Sequence, residues 1–395
     1  MGKGGVSFMT RLLYFIIIIC FLDTFVQLPI IAPYAIGLGA SHVLTGSIVA
    51  VYSLTNMLGN VVGGHWIDRF GRKRMLLVGM FSVLAILCIY PLASTGTELF
   101  VIRLVHGLGG GILIPAAFAY IGDKTASGRR GKAMAFTGAS IGTAAIIGPA
   151  FGGIMAVRAS IEYVFLSVAF LFLVSAILVI RFIPESFEKS EREKVALADF
   201  LPLLKNPGII QASLAAFALM ISNGTLAFAL PVQVEAAGMD VGRTGMLMSV
   251  FGIVALIVFL TPANRAFDRF EPVPLTLGGI FLIAIALFQL QVMDTMVSGL
   301  LAMIVYGAGF AFVFPSMNQL VAGASSQADR GKAYGIFYAF FSLGAVAGSA
   351  LSGAVSETGR VPFMYSALAM ALCAAVLGLL SLRKGSRDRS AAQNN

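Results

Sequence analysis

The chain has 395 residues, of which 58% are hydrophobic and only 11% charged, with a mean hydropathy of +0.92. A water-soluble domain carries roughly a quarter charged residues, so the composition excludes a soluble enzyme, a nucleic-acid-binding module and a disulfide-stapled secreted domain. The formal charge of +9 then matters through its distribution. Cys20, Cys88 and Cys373 sit in apolar runs, where a thiol acts as a small hydrophobe. No disulfide or metal spacing accompanies them, and no cofactor or metal is expected.

Taken in chain order, the apolar runs predict membrane-spanning helices at 12–36, 44–67, 74–94, 98–121, 131–156 and 162–183. After a polar stretch they resume at 208–235, 242–265, 272–293, 297–322, 331–355 and 361–383. Each can cross a hydrocarbon core of about 30 Å at about 1.5 Å per residue. Unbroken runs of this length exclude an outer-membrane barrel, which alternates in short segments. The first run is too long for a cleaved signal peptide and contains Asp23 and two prolines. Val6 stands where a myristoylation signal needs Ser or Thr. The predicted fold class is therefore all-α and integral to the membrane, with twelve spans.

With the N-terminus inside, inner segments hold 23 of the 27 basic residues and outer loops only Arg158, Arg243 and Arg360; Arg103 lies in a span. The positive-inside rule then puts both termini in the cytoplasm of a plasma-membrane protein. The net charge reports topology, and no nucleic-acid partner is expected.

The chain repeats itself at an offset of 200 residues. Asp68-Arg69-Phe70 returns as Asp268-Arg269-Phe270, Gly107 and Pro115 as Gly307 and Pro315, and Arg130-Gly131-Lys132-Ala133 as Arg330-Gly331-Lys332-Ala333. Chance similarity among apolar helices would not reproduce the charged turns. The reading is two pseudo-symmetric six-helix bundles, 1–184 and 208–395, joined by a cytoplasmic linker at 185–207. Parallel repeats of this kind are a transporter architecture. The linker mixes acids and bases and reads as an amphipathic helix; the polar tail from 384 reads as disordered.

The run Gly64-His65-Trp66-Ile67-Asp68-Arg69-Phe70-Gly71-Arg72-Lys73-Arg74 resembles the signature loop between spans 2 and 3 of the major facilitator superfamily. Span count, repeat and linker extend the resemblance over the whole chain. It implies a midplane cavity lined by spans 1, 4, 7 and 10, and alternating access. It also implies a cytoplasmic gate made by Gly64, Asp68, Arg69, Gly71, Arg72 and Lys73, which Asp123 and Arg130 extend; Gly64 is expected to let a neighbouring helix approach closely, as small residues do in membranes. The competing reading, that these bases only anchor the loop to anionic lipid, leaves Asp68 unexplained. In the second copy Asn264, Glu271 and Pro272 replace Gly64, Gly71 and Arg72, so the gate is expected to be asymmetric.

Arg103-Leu104-Val105-His106-Gly107 in span 4 looks like the family's second motif, whose arginine is held to influence proton transfer. An intramembrane arginine costs about 2.5–3.5 kcal/mol on insertion scales and rarely faces lipid. His106 shares its face and is either a second titrating group or a neutral polar residue of the cavity wall; the neutral reading is preferred. In span 5, Gly148-Pro149-Ala150-Phe151-Gly152-Gly153 resembles the antiporter motif of drug–proton exporters, with Ala144 where the pattern has glycine. Its physical content is a proline-kinked helix with a face of small residues.

Asp23 is the one acid well inside a span, about 16 Å up its helix, where an ionised carboxylate is costly. Such a group carries a proton or binds a cation. A structural acid paired with Arg103 is the alternative, although Arg103 lies about 10 Å further out. Gln27, Asn56, Asn223 and Asn318 lie at comparable depth and join Asp23 as candidate substrate-binding residues. No nucleotide-binding Gly-Lys loop is present.

The sequence thus predicts a proton-coupled exporter of small molecules resembling the twelve-span drug:proton antiporters, with Asp23 and Arg103 as its proton-coupling residues. An exporter of an endogenous metabolite such as a siderophore or metallophore is the main alternative, and a proton-coupled sugar or nutrient importer a lesser one. Its expected partners are substrate, protons and the lipid bilayer, and its expected state is a monomer.

Overall fold

The computed structural model describes the backbone of residues 3–124, 130–186, 200–326 and 329–393. The helices run α1 (Lys3–Gln27), α2 (Ile31–Gly37), α3 (His42–Phe70), α4 (Arg72–Ile89), α5 (Gly96–Lys124), α6 (Arg130–Arg158) and α7 (Ile161–Phe182). They continue with α8 (Leu201–Leu204), α9 (Pro207–Ala236), α10 (Val241–Leu260), α11 (Ala266–Arg269), α12 (Pro272–Gln291), α13 (Met296–Ala324), α14 (Arg330–Glu357) and α15 (Phe363–Gln393). No strand occurs among the described residues. Lipid offers no water to pair with backbone groups, and a helix satisfies them within itself.

Ten helices are long and apolar enough to span, and α1 with α2 makes an eleventh. The remaining predicted span is α3, 29 residues long, whose Asn56, Asn60 and His65 dilute its apolar run. Three details differ from the sequence expectation. The first span breaks between Gln27 and Ile31 with a bend of 46°, because Pro29 offers no N–H and its ring crowds the carbonyl one turn back. The C-terminal helix continues to Gln393 where a disordered tail was expected; no proline or β-branched residue interrupts it there. Of the amphipathic linker helix expected over 185–205, residues 187–199 lie outside the described residues, and the last turn forms α8 (Leu201–Leu204).

The chain forms two compact units, Met1–Arg192 with Val234–Ser249, and Glu193–Gln233 with Val250–Asn395.

Glycines set the packing within each unit. Gly59 of α3 packs against Gly111 of α5, Gly63 of α3 against Ile112, and Gly107 of α5 against Tyr52 and Thr55. A Cβ on Gly111 would stand 2.7 Å from the Gly59 Cα, and one on Gly107 would meet the Tyr52 carbonyl at 2.5 Å. This is small-residue packing of membrane helices, where close backbone approach replaces the hydrophobic effect. The 200-residue repeat reappears in these contacts. A Cβ on Gly79 would stand 2.8 Å from the Leu113 side chain, one on Gly279 2.6 Å from the Val313 side chain, and one on Gly307 2.8 Å from the Phe251 carbonyl.

Gly64, expected at a close approach, has open space where its Cβ would be. On a 3.6-residue helix, positions 59 and 63 share the face toward α5 and position 64 turns about 100° away. Gly107→Ala should therefore lower stability in detergent by about 1–3 kcal/mol, the overpacking range, whereas Gly64→Ala should leave the thermal unfolding midpoint unchanged.

Candidate functional site

The first unit buries a polar cluster between α1, α3, α5 and the end of α4. Asp23 of α1 is 1% exposed, Gln27 3%, Arg103 of α5 5% and His106 0%. Asp23 and Gln27 are one helical turn apart, as are Arg103 and His106, so each pair shares a face. Gln27 Nε2 donates to Asp23 Oδ1 at 2.8 Å and to the Asp23 carbonyl at 3.0 Å. Arg103 donates through NH1 to Gln27 Oε1 at 2.6 Å and through Nε to the Ile48 carbonyl at 3.3 Å. Its guanidinium lies 4.3 Å from the centre of the Tyr52 ring. Arg103 therefore reaches Asp23 through the Gln27 amide, which fills the gap that the helical rise predicts between them.

The direct partner of Asp23 is His106, with Nε2 3.1 Å from Asp23 Oδ2. That approach is off the line of a hydrogen bond, and Nε2 has no hydrogen-bond partner among the described residues. The opposite ring nitrogen, Nδ1, is 2.9 Å from the Tyr90 hydroxyl. Tyr90 follows α4 in a 3-10 turn, stacks on Phe165 of α7 at 4.2 Å, and accepts at its carbonyl from the Tyr34 hydroxyl at 2.8 Å. Tyr52 sets its ring edge-on to His106 at 5.2 Å and shares a hydrogen bond with Thr24 at 3.2 Å. The sequence reading preferred His106 as a neutral wall residue; the structure sets it against the carboxylate.

The repeat supplies a signal that could have found this pair. Two hundred residues on, Asp23 becomes Asn223 and His106 becomes Tyr306. In the second unit Tyr306 hydrogen-bonds to the Ser222 hydroxyl at 2.9 Å, with the Asn223 side chain also in hydrogen-bonding reach. Phe251 sits edge-on to Tyr306 at 5.6 Å, as Tyr52 does to His106. The two units hold the same constellation, ionisable in the first and neutral in the second.

A second cluster ties together the ends of α3, α4, α5 and α7. Gly71, at φ 102°, makes the turn from α3 to α4 in a region that favours glycine. Arg72 pairs through Nε with Asp123 Oδ2 at 2.9 Å and donates to the Ile67 carbonyl at 3.2 Å. Lys73 Nζ reaches the Ile180 carbonyl at 3.1 Å, and Arg69 lies over the Phe70 ring at 5.2 Å. The side chains of Asp68 and Arg130 lie outside the described residues. Glu185, which the sequence reading left in the linker, accepts from the backbone N–H of Arg72 at 2.9 Å, Lys73 at 3.2 Å and Arg74 at 3.4 Å. It caps α4 with a carboxylate, the favoured charge at a helix N-terminus. A Cβ on Gly71 would stand 2.7 Å from Glu185 Oε2, so glycine here also makes room for the cap.

In α6, Gly148 packs on the Phe25 side chain, Gly152 on the Val26 carbonyl, and Gly153 on the Val241 carbonyl. Pro149 interrupts the helical ladder, and the Ser249 hydroxyl enters the gap. It accepts from Ala150 N–H at 3.1 Å and lies 2.6 Å from the Ile146 carbonyl, which accepts its proton in competition with the Gly245 carbonyl at 3.0 Å. Sequence reasoning missed Ser249 because nothing in its own neighbourhood marks it.

The remaining candidates divide between the units. Asn56 of α3 accepts from Asn60 at 3.1 Å; Asn318 of α13 donates to its own helix at the Phe314 carbonyl, 2.8 Å away.

The model of the Major Facilitator Superfamily matches residues 13–326 and 212–394. The chain belongs to this superfamily. It is thus a multi-span membrane transporter rather than an enzyme. Multidrug resistance protein 1 of Bacillus subtilis is 27% identical over 364 residues, 90% of this chain and 91% of that protein. Multidrug resistance protein MdtG of Escherichia coli is 24% identical over 345 residues, 85% of this chain and 84% of its own. Among solved structures, a bacterial homolog of the human lysosomal transporter Spinster, inward-facing and occupied, superposes with a TM-score of 0.79 at 14% identity, covering 96% of this chain and 98% of that one. A peptide transporter in complex with sulfate gives 0.77 at 13% identity, over 95% and 94%. At such identities these structures support the fold alone.

Two substitutions probe the clusters. Gln27→Leu removes the bridge between Arg103 and Asp23 and should destabilise the protein by at least about 1–3 kcal/mol, the cost of stranding buried partners. Glu185→Ala should cost about 0.5–2 kcal/mol, as for a lost helix cap. Thermal unfolding in detergent reads both.

Proposed function

We infer that this transporter is a proton-coupled exporter of small molecules, a multidrug-type antiporter of the plasma membrane with both termini in the cytoplasm. It works by alternating access, with Asp23 as the proton site. The observation that carries this reading is a carboxylate 1% exposed whose side-chain partners are an amide and an imidazole, with the arginine held one residue away. Burying such a group is a poor way to gain stability, since apolar replacement of a buried ion pair is often neutral or stabilising. In membrane proteins ionisable residues at this depth mark ion and proton pathways.

The chemistry follows from the contacts. Ionised Asp23 holds Gln27 by a charge-assisted hydrogen bond, about twice as strong as a neutral one, and faces the His106 ring at 3.1 Å. Protonation removes that charge and loosens α1 from α5. A cargo that competes with the proton for Asp23, or for the conformation Asp23 stabilises, would then move against it. Arg103, acting through Gln27, positions the carboxylate. The loop cluster of Gly71, Arg72, Lys73, Asp123 and Glu185 serves as the cytoplasmic gate, with Gly64, Asp68, Arg69 and Arg130 as its remaining candidates. Among the candidate polar contacts for cargo, Asp23, Gln27 and Asn56 lie in the first unit and Asn223 and Asn318 in the second. The multidrug resistance relatives favour broad export over a dedicated metabolite.

The test uses proteoliposomes loaded with a pH-sensitive dye, an imposed proton gradient, and ethidium as the probe cargo. Wild type should show ethidium-dependent proton movement, and Asp23→Asn, which keeps the acceptor for Gln27, should reduce it at least about tenfold. Undiminished proton movement in Asp23→Asn would remove Asp23 from the proton path.

A further inference from the structure

We propose that His106 is a second proton-binding residue of this carrier, sharing its proton with Asp23 on one side and exchanging it through Tyr90 on the other. The proposal rests on the reading of Asp23 as the proton site and adds a group that the Asp23–Arg103 pairing does not contain.

The geometry assigns the roles. His106 is fully buried, and its two ring nitrogens face two different proton-exchanging groups, the Asp23 carboxylate at 3.1 Å and the Tyr90 hydroxyl at 2.9 Å. A neutral imidazole is a donor at one nitrogen and an acceptor at the other. With the proton on Nε2, the ring faces the carboxylate as a donor and accepts from Tyr90 at Nδ1. A proton arriving at Nδ1 makes an imidazolium opposite the carboxylate. Transfer of the Nε2 proton to Asp23 Oδ2 then leaves a neutral acid and a neutral imidazole with its proton on Nδ1. One proton has been gained, and the pair has gone from one negative charge to none. In that state Nδ1 donates to the Tyr90 oxygen, so the Tyr90 hydroxyl hydrogen must turn away; that rotation, together with a small turn of the imidazole that brings Nε2 into line with Asp23 Oδ2, is the rearrangement the step needs.

The direction of the path follows from the helices. Tyr90 closes α4 at the end remote from the Gly71–Arg72 turn, and Tyr34, from α2 beyond the break in the first span, donates to its carbonyl. The chain Asp23–His106–Tyr90 therefore leads away from the basic loop cluster. The groups facing His106 are few. From α1 they are Asp23 and Gln27, with Cys20 one turn before Asp23. From α3 it is Tyr52, and from the end of α4 it is Tyr90. Arg103 is on its own helix and also hydrogen-bonds the Tyr90 hydroxyl; among the described residues α7 contributes the Phe165 ring against Tyr90 and Glu162, whose charge is felt at Tyr34. Arg103 is engaged by Gln27 and the Ile48 carbonyl, which leaves the Oδ2 face of Asp23 to His106.

A merely structural histidine would be satisfied by a neutral polar ring, and the second unit shows one: Tyr306 fills the equivalent position with Asn223 in place of the acid. The ionisable pair occurs where the acid is, and not where it is absent.

The chain has three histidines, His42, His65 and His106, so imidazole ¹⁵N NMR of the full-length protein can follow each, with His106→Gln assigning the signal. His106 should change from the neutral tautomer protonated on Nε2 to the one protonated on Nδ1 between pH 9 and pH 5, and Asp23→Asn should abolish that change, because the acceptor of the Nε2 proton is gone. Imidazole takes a proton at higher pH than a carboxylate. The pH profile of ethidium efflux in His106→Gln should therefore move to lower pH by about one unit or more. A His106 signal that keeps one neutral tautomer from pH 5 to 9, or a His106→Gln profile superimposable on wild type, would overturn the proposal. If His106→Gln leaves the profile unchanged while Asp23→Asn abolishes coupling, the proposal fails and Asp23 stands. Coupling retained in Asp23→Asn would fell the underlying reading itself.

Discussion

A carboxylate held out of water between apolar helices is the constraint around which the first unit is arranged. It must be neutral, or it must be surrounded by donors that make its charge tolerable. The chain supplies those donors from two consecutive turns of α1 and two of α5: Asp23 with Gln27, and Arg103 with His106. The rest of the neighbourhood serves that arrangement. Glycines at 107 and 111 bring α5 close enough to α3 for Arg103 to reach the Ile48 carbonyl and the Tyr52 ring. The proline break after Gln27 ends α1 where its amide is needed. Tyr90, turned in at the end of α4, closes the cluster on the far side of the imidazole.

The internal repeat shows which part of this design is architecture and which is chemistry. Close glycine contacts recur at equivalent places in both units, as do the edge-on aromatic pairs. Charge does not recur. Asn223 and Tyr306 reproduce the positions of Asp23 and His106 with groups that do not titrate in the physiological range, so packing alone does not demand the ionisable versions. The basic loop differs in the same way, since Glu271 and Pro272 stand where the first copy has Gly71 and Arg72.

Much of this was legible in the sequence, for identifiable reasons. Span positions follow from apolar runs because lipid leaves the backbone no alternative to helix, and Asp23 and Arg103 are conspicuous because charge in a span is rare. The sequence could not say which partner each would choose. The rise of a helix makes a direct Asp23–Arg103 contact marginal, and the structure resolves the gap with Gln27, a residue first read as a cargo contact. His106 was visible but ambiguous, because a histidine's role depends on what stands opposite its second nitrogen. Glu185 and Ser249 were illegible. Each acts on backbone groups more than 90 residues away in sequence, at the start of α4 and at the Pro149 kink of α6. Gly64 misled because a motif glycine and a packing glycine are identical on paper, and only helix phase separates them.

The most direct measurement of the central claim replaces the ionisable pair with its neutral counterpart from the second unit, Asp23→Asn together with His106→Tyr, in proteoliposomes carrying ethidium and a pH-sensitive dye. If the pair is the proton site, the double variant should fold and exchange ethidium downhill while moving no protons and building no ethidium gradient. Proton-driven ethidium accumulation at wild-type levels in that variant would contradict the account.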